Sequence, residues 1–133
     1  TGPSTLTAWP ATYATFTTYV LPEVGVAGFL AGVSRKRVYF FPTIATTSPG
    51  TAYVRVFAKV RKNGKYRNVL ICRVQRIIAL ASTPVTLECA SRAARTLVRK
   101  RATTFTARAY LIQVGSNFTS AQAADTIRVK RRR

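Results

Sequence analysis

The sequence predicts a mainly β, single-domain fold: an antiparallel sheet in a sandwich or barrel-like form, with one basic amphipathic helix and an extended basic C-terminal tail. Three observations carry that expectation. Thr, Val, Tyr, Phe and Ala recur in short alternating runs, which suit the two-residue repeat of a half-buried strand. Asn63-Gly64 stands between two such runs, a strong local signature of a hairpin. A chain of 133 residues, 47% of them hydrophobic, can bury one core without metal or disulfide support, so 1–133 is expected as one structural domain.

Residues 1–20 are read as an extended arm or first strand, with Tyr13, Thr15, Thr17 and Tyr19 alternating and Trp9 beside Pro10 as a packing anchor. Residues 22–34 hold three glycines among small apolar residues. They lack the Gly-Lys-Ser/Thr ending of a phosphate-binding loop and are expected as a flexible apolar loop or subunit contact. Arg35-Lys36-Arg37 opens the apolar run Val38-Tyr39-Phe40-Phe41, and Pro42 after it places this strand near a sheet edge. Ser48-Pro49-Gly50 is a turn.

The hairpin from Tyr53 to Val74 fixes a register, because a two-residue type I′ turn at Asn63-Gly64 determines every pair behind it. Arg61 is expected opposite Tyr66, Lys59 opposite Asn68, Phe57 opposite Leu70 and Arg55 opposite Cys72, all on one face. Val54, Val56, Ala58 and Val60 line the other face, with Val69 and Ile71 across from them. One face is aliphatic; the other interleaves Tyr53, Arg55, Phe57, Lys59, Arg61 and Tyr66.

Ser82-Thr83-Pro84 resembles a helix start, and Leu87, Ala90, Ala94, Leu97 and Val98 follow at helical spacing, which predicts a helix over 84–100. Arg92, Arg95 and Arg99 fall on its opposite face as a basic stripe. Val85, Leu87 and Cys89 also alternate as a strand would. Thr103 to Val114 is a buried strand, with Phe105, Ala107, Ala109 and Leu111 on one side and Thr106, Arg108, Tyr110 and Ile112 on the other. Ser120 to Asp125 is expected as a helical turn, and 126–133 as the basic tail.

Charge decides the function class. Twenty-two Lys and Arg stand against three acidic residues, a net charge of +19, so most cations have no carboxylate of their own to pair with. Such a chain gains from a polyanion that exchanges its counterions for these side chains, and the predominance of Arg suits phosphate and stacked bases. The chain has no His, and Glu23, Glu88 and Asp125 are far apart in sequence, which removes triads and His-activated nucleophiles and argues against an enzyme, a metal, a cofactor or a small-molecule substrate. Cys72 and Cys89 have no metal-ligand spacing and are expected as separate reduced core residues, with a disulfide as the lesser alternative. No apolar stretch is long enough to span a bilayer as a helix, and Asn117-Phe118-Thr119 is read as a chance sequon. The start at Thr1 shows no signal-peptide pattern; initiator removal or proteolytic maturation would each account for it.

The candidate nucleic-acid contacts are Arg35, Lys36 and Arg37; the hairpin residues Arg55, Lys59, Arg61, Lys62, Lys65 and Arg67; the helix residues Arg92, Arg95, Arg99, Lys100 and Arg101; and the tail residues Arg128, Lys130, Arg131, Arg132 and Arg133. Tyr53, Phe57 and Tyr66 are candidate stacking platforms. No helix-turn-helix, zinc-finger or RNP-type motif is present, so contacts to RNA or DNA are expected to be sequence-nonspecific and salt-sensitive. The expectation is a structural subunit of a viral capsid or nucleocapsid, located in the virion, that assembles with copies of itself around nucleic acid. A ribosomal or other cytoplasmic ribonucleoprotein component and a secreted cationic membrane-active protein are the alternatives.

Overall fold

The computed structural model describes residues 21–115 and 118–133. The expected arm over 1–20 and the Asn117 sequon lie outside the described residues. Eight strands and one helix follow in order: β1 (Val24–Val33), β2 (Val38–Thr46), β3 (Gly50–Lys62), β4 (Lys65–Ile78), β5 (Val85–Thr86), β6 (Cys89–Ser91), α1 (Arg92–Lys100), β7 (Thr103–Gln113) and β8 (Ala123–Val129). They form two antiparallel sheets. In the first, β2 pairs with β1 on one side and with both β5 and β6 on the other; in the second the order is β4-β3-β7-β8. Among the described residues the fold is the mainly β sandwich that the alternating runs predict, with a single helix.

The core lies between the sheets. Alternate residues of β2 (Val38, Phe40, Ile44), β3 (Ala52, Val54, Val56, Ala58) and β7 (Phe105, Ala107, Ala109, Leu111) are fully or almost fully buried. Phe40 and Phe105 meet edge-on across the core, ring centroids 4.8 Å apart. The small alanines of β3 and β7 make room for these rings, as interdigitating layers require.

Several elements depart from the sequence reading, each for a visible reason. Residues 22–34 are not a loop: Val24–Val33 is β1, and its apolar residues Val24, Val26, Phe29, Ala31 and Val33 join the core cluster. Pro42 does not end its strand, and β2 is central rather than an edge. A proline can sit there because its neighbour is split: β6 pairs with Val38–Phe40, β5 with Thr43–Ile44, and the gap falls beside the residue that has no N–H to give. The Pro42 carbonyl still accepts from Leu87 N at 2.9 Å across that gap.

The helix is shorter than 84–100. Val85, Leu87 and Cys89 follow their strand alternation, and α1 starts only after Ser91, whose hydroxyl accepts from Ala94 N at 3.1 Å as an N-cap. Ser82 instead occupies a left-handed turn, φ 66°. Arg99 and Lys100 in the last turn complement the negative end of the helix dipole. The expected helical turn over Ser120 to Asp125 is absent: Ala123–Val129 pairs along β7 as β8.

Cys72 and Cys89 are disulfide-bonded, with Cα atoms 6.2 Å apart, which corrects the expectation of two reduced residues. The bond joins β4 of one sheet to β6 of the other. A β-bulge makes it possible. The hairpin turn has both central residues at positive φ, Asn63 at 53° and Gly64 at 79°, and the predicted register holds from Lys62–Lys65 to Phe57–Leu70. Between Phe57 and Val56 the register then shifts, so that Val56 rather than Arg55 faces Cys72. The shift turns Cys72 inward toward Cys89 and Arg73 outward, opposite Arg55.

Candidate nucleic-acid interface

The outer face of the β4-β3-β7-β8 sheet is built by the same alternation that fills the core. Ala52, Val54, Val56 and Ala58 point in; Tyr53, Arg55, Phe57 and Lys59 between them point out. The cross-strand register then assembles three rungs. Gln75, Tyr53 and Tyr110 form the first; Arg73, Arg55 and Arg108 the second; Leu70, Phe57 and Thr106 the third. Beyond them lie Lys59 opposite Asn68 and Arg61 opposite Tyr66, while Arg128 stands opposite Thr104 on β8.

The middle rung is the unusual one. Directly opposed like charges disfavour a sheet, and here Arg55 has an arginine on both sides. All three carboxylates of the chain are elsewhere: Glu23 precedes β1, Glu88 lies between β5 and β6, and Asp125 pairs with the buried Ala107, on the inward side of β8. Aromatic rings stand between the cations instead. Tyr53 and Tyr110 stack with centroids 5.0 Å apart and planes at 15°. Arg55 lies 5.6 Å from the Tyr110 ring and reaches its hydroxyl at 3.4 Å; Arg108 lies 5.6 Å from Phe57; Lys59 and Arg61 lie 4.8 and 5.7 Å from Tyr66. These contacts hold the cations in place without neutralising them. Tyr53, Arg55, Leu70, Arg73, Gln75 and Tyr110 border an open groove of about 630 Å³.

Past Ala58, the last β3 residue paired to β7, the hairpin continues as a two-stranded ribbon that carries Lys59, Arg61, Lys62, Lys65 and Arg67 into solvent. Val69, expected across from the core face, is 42% exposed because the covering sheet ends before it.

The remaining candidates gather around α1. Arg95 departs from the expected exposed stripe: it is 5% exposed, donating from Nε to the Ser34 carbonyl and from NH1 to the Arg132 carbonyl, both at 2.7 Å. It ties the Arg35-Lys36-Arg37 turn to the C-terminal tail, and its guanidinium serves structure rather than ligand. Arg132 N donates to Val98 O at 3.0 Å and Arg131 Nε to Arg99 O at 3.3 Å, so the tail lies docked against the helix. Arg92, Arg99, Lys100, Arg101, Lys130, Arg131, Arg132 and Arg133 remain exposed. Because Thr103 pairs with Val129, these groups lie at the same end of the sandwich as the hairpin tip.

Arg73, Arg108 and Tyr110 complete the face and were not among the candidates read from sequence. The alternation placed Arg108 and Tyr110 on one side of their strand, but nothing local said that β7 lies beside β3. Among the described residues no group of three or more His, Cys, Asp or Glu could hold a metal, and no helix is long and apolar enough to cross a membrane.

No protein-family model and no curated protein sequence matches the chain. Among solved structures it is similar to β-glucosidase 3B from Thermotoga neapolitana (TM-score 0.47, 11% identity, covering 84% of this chain and 17% of that one). It is also similar to the β-glucosidase DesR from Streptomyces venezuelae (0.49, 9%, covering 81% and 15%) and to a β-glucosidase from Kluyveromyces marxianus (0.46, 9%, covering 90% and 16%). The chain thus spans less than a fifth of the length of these enzymes.

Proposed function

We propose that the protein is a structural nucleic-acid-binding subunit of a viral capsid or nucleocapsid, which packages RNA or DNA by sequence-nonspecific contacts on the outer face of the β4-β3-β7-β8 sheet. The observation that carries this reading is the Arg73–Arg55–Arg108 rung beside the stacked Tyr53–Tyr110 pair, with no carboxylate on that face. A rung of that kind works against folding unless an external anion lies across it, and a phosphate backbone with bases to stack supplies both halves of what the face offers. A role without catalysis fits a chain that has no His and three dispersed carboxylates.

A second reading is favoured by one observation, the Cys72–Cys89 disulfide, which suits an oxidising environment such as a virion surface or a secreted product. A secreted cationic protein would direct the same face at anionic lipid. Competition decides between them. Protein bound to a fluorescent random-sequence single-stranded oligonucleotide should stay bound when vesicles of mixed phosphatidylserine and phosphatidylcholine are added at equal phosphate concentration. Transfer to the vesicles would replace the packaging reading with the membrane one.

A further inference from the structure

Charge is divided between the two sheets. The outer face of the β1-β2-β5/β6 sheet comprises Gly25, Gly28, Leu30 and Gly32 from β1, Tyr39, Phe41, Thr43 and Ala45 from β2, and Thr86 and Ala90. None of these paired residues is charged, in a chain of net charge +19; the one charge beside them is the exposed Glu88, between Thr86 and Ala90. Leu30 is 68% exposed at its centre.

The edges differ in the same way. A sheet edge exposes unpaired backbone N–H and C=O groups and is normally guarded by charge, proline or shortness. β4 carries Lys65, Arg67, Arg73 and Arg76, and β8 carries Asp125 and Arg128. β5 and β6 are two and three residues long. β1 is ten residues, Val-Gly-Val-Ala-Gly-Phe-Leu-Ala-Gly-Val, with no charge and no proline, and β2 is its sole paired neighbour among the described residues. β8 of the opposite sheet packs beside it, paired to β7.

We propose that β1 pairs antiparallel with β1 of a second copy, extending the uncharged sheet across a twofold axis. This deepens the packaging reading by naming the contact through which subunits join. Elsewhere two such cations repel each other; here they meet on a neutral strand. The ends of the strand agree. With Val24 set on Val33, Glu23 of one copy comes opposite Ser34 of the other, next to Arg35 in its basic turn, and the same pair forms again across the axis. One of the three carboxylates is thus placed where a second copy brings cations.

The test is sedimentation equilibrium of the full chain without nucleic acid, in about 0.5 M salt, where screening shortens the reach of charge to about 4 Å. Wild type is expected to dimerise, and Leu30→Lys to weaken the dimer at least about tenfold. Gly25→Lys, at a position where an added Cβ meets nothing within 4 Å, gives the same result should Leu30→Lys fail to fold. In about 0.1 M salt, where charge pairs count for more, Glu23→Arg and Arg35→Glu should each weaken association and together restore it. A monomeric wild type, or lysine variants that associate as wild type does, overturns the proposal, as does a double swap that remains weak. Oligonucleotide affinity of Leu30→Lys and Gly25→Lys, both on the sheet opposite the binding face and expected not to lose binding, separates the readings: no binding by wild type would end the packaging reading and leave the dimer standing.

Discussion

Replacing Arg55, Arg73 and Arg108 together by Gln separates a binding face from a merely solvated one, because the two effects have opposite signs. Nine cations serve the outer face or the hairpin tip beside it: Arg55, Lys59, Arg61, Lys62, Lys65, Arg67, Arg73, Arg108 and Arg128. If each neutralises one phosphate of a single strand, affinity falls with a log–log salt slope of about −6, at about −0.7 per phosphate. Removing three flattens the slope by about 2 and weakens binding about a hundredfold near 0.1 M salt. Stability should move the other way. Arg55 faces an arginine on each side, and opposed like charges on adjacent strands cost a few tenths of a kcal/mol to about 1 kcal/mol per pair. The triple variant should therefore gain about 1 kcal/mol in low salt, fading as salt screens the rung. Fluorescence anisotropy against a random oligonucleotide over a salt series gives the slope, and urea unfolding at two salt concentrations gives the stability. An unchanged slope refutes the assignment of this face to nucleic acid. A loss of stability would mean that the arginines pack rather than repel.

Other substitutions test separate parts of the account. Tyr110→Ala removes one ring of the stacked pair and should weaken single-stranded oligonucleotide binding by about 1–3 kcal/mol at constant salt slope, since stacking adds no counterion release; a flatter slope would argue against stacking. Cys72→Ala with Cys89→Ala opens a cross-link spanning 17 residues and should cost about 3 kcal/mol in urea unfolding, with wild type in dithiothreitol losing the same amount. Gly50→Ala should destabilise by about 1–3 kcal/mol, because a Cβ there collides with the Ile112 carbonyl oxygen on the paired strand. Arg95→Met should cost about 1–3 kcal/mol by leaving the Ser34 and Arg132 carbonyls without their donor, whereas exposed Arg92→Gln should leave stability unchanged.

The parts of the fold that were readable in sequence are those whose cause is local. Asn63-Gly64 dictated a turn with two positive φ values, and that turn carried the register correctly from Lys62–Lys65 through five further pairs, up to Phe57–Leu70. The alternation in Thr103–Gln113 sorted Phe105, Ala107, Ala109 and Leu111 into the core. What escaped depends on partners distant in the chain. The bulge beside Val56 has no signature in β4; it reflects Cys72 turning toward Cys89 on the other sheet, and Arg73 reaches the outer face as its consequence. Pro42 reads as an edge until the split of β5 from β6 is seen, and the glycines of 24–33 read as a loop until β2 provides a partner. Arg95 falls on the polar side of a helical wheel, yet the docked tail and the β1–β2 turn bury it. The rung of three arginines needed all of this at once: the bulge for Arg73 and the β3–β7 pairing for Arg108.

The most direct test of packaging is to hold the purified chain in high salt, lower the salt with and without a random oligonucleotide, and examine the product by electron microscopy and mass measurement. Uniform shells or filaments that contain nucleic acid, formed by wild type and lost in the Arg55, Arg73 and Arg108 triple variant, are the predicted result. Small complexes of fixed stoichiometry that never grow, or assemblies equally well formed by the triple variant, would contradict it.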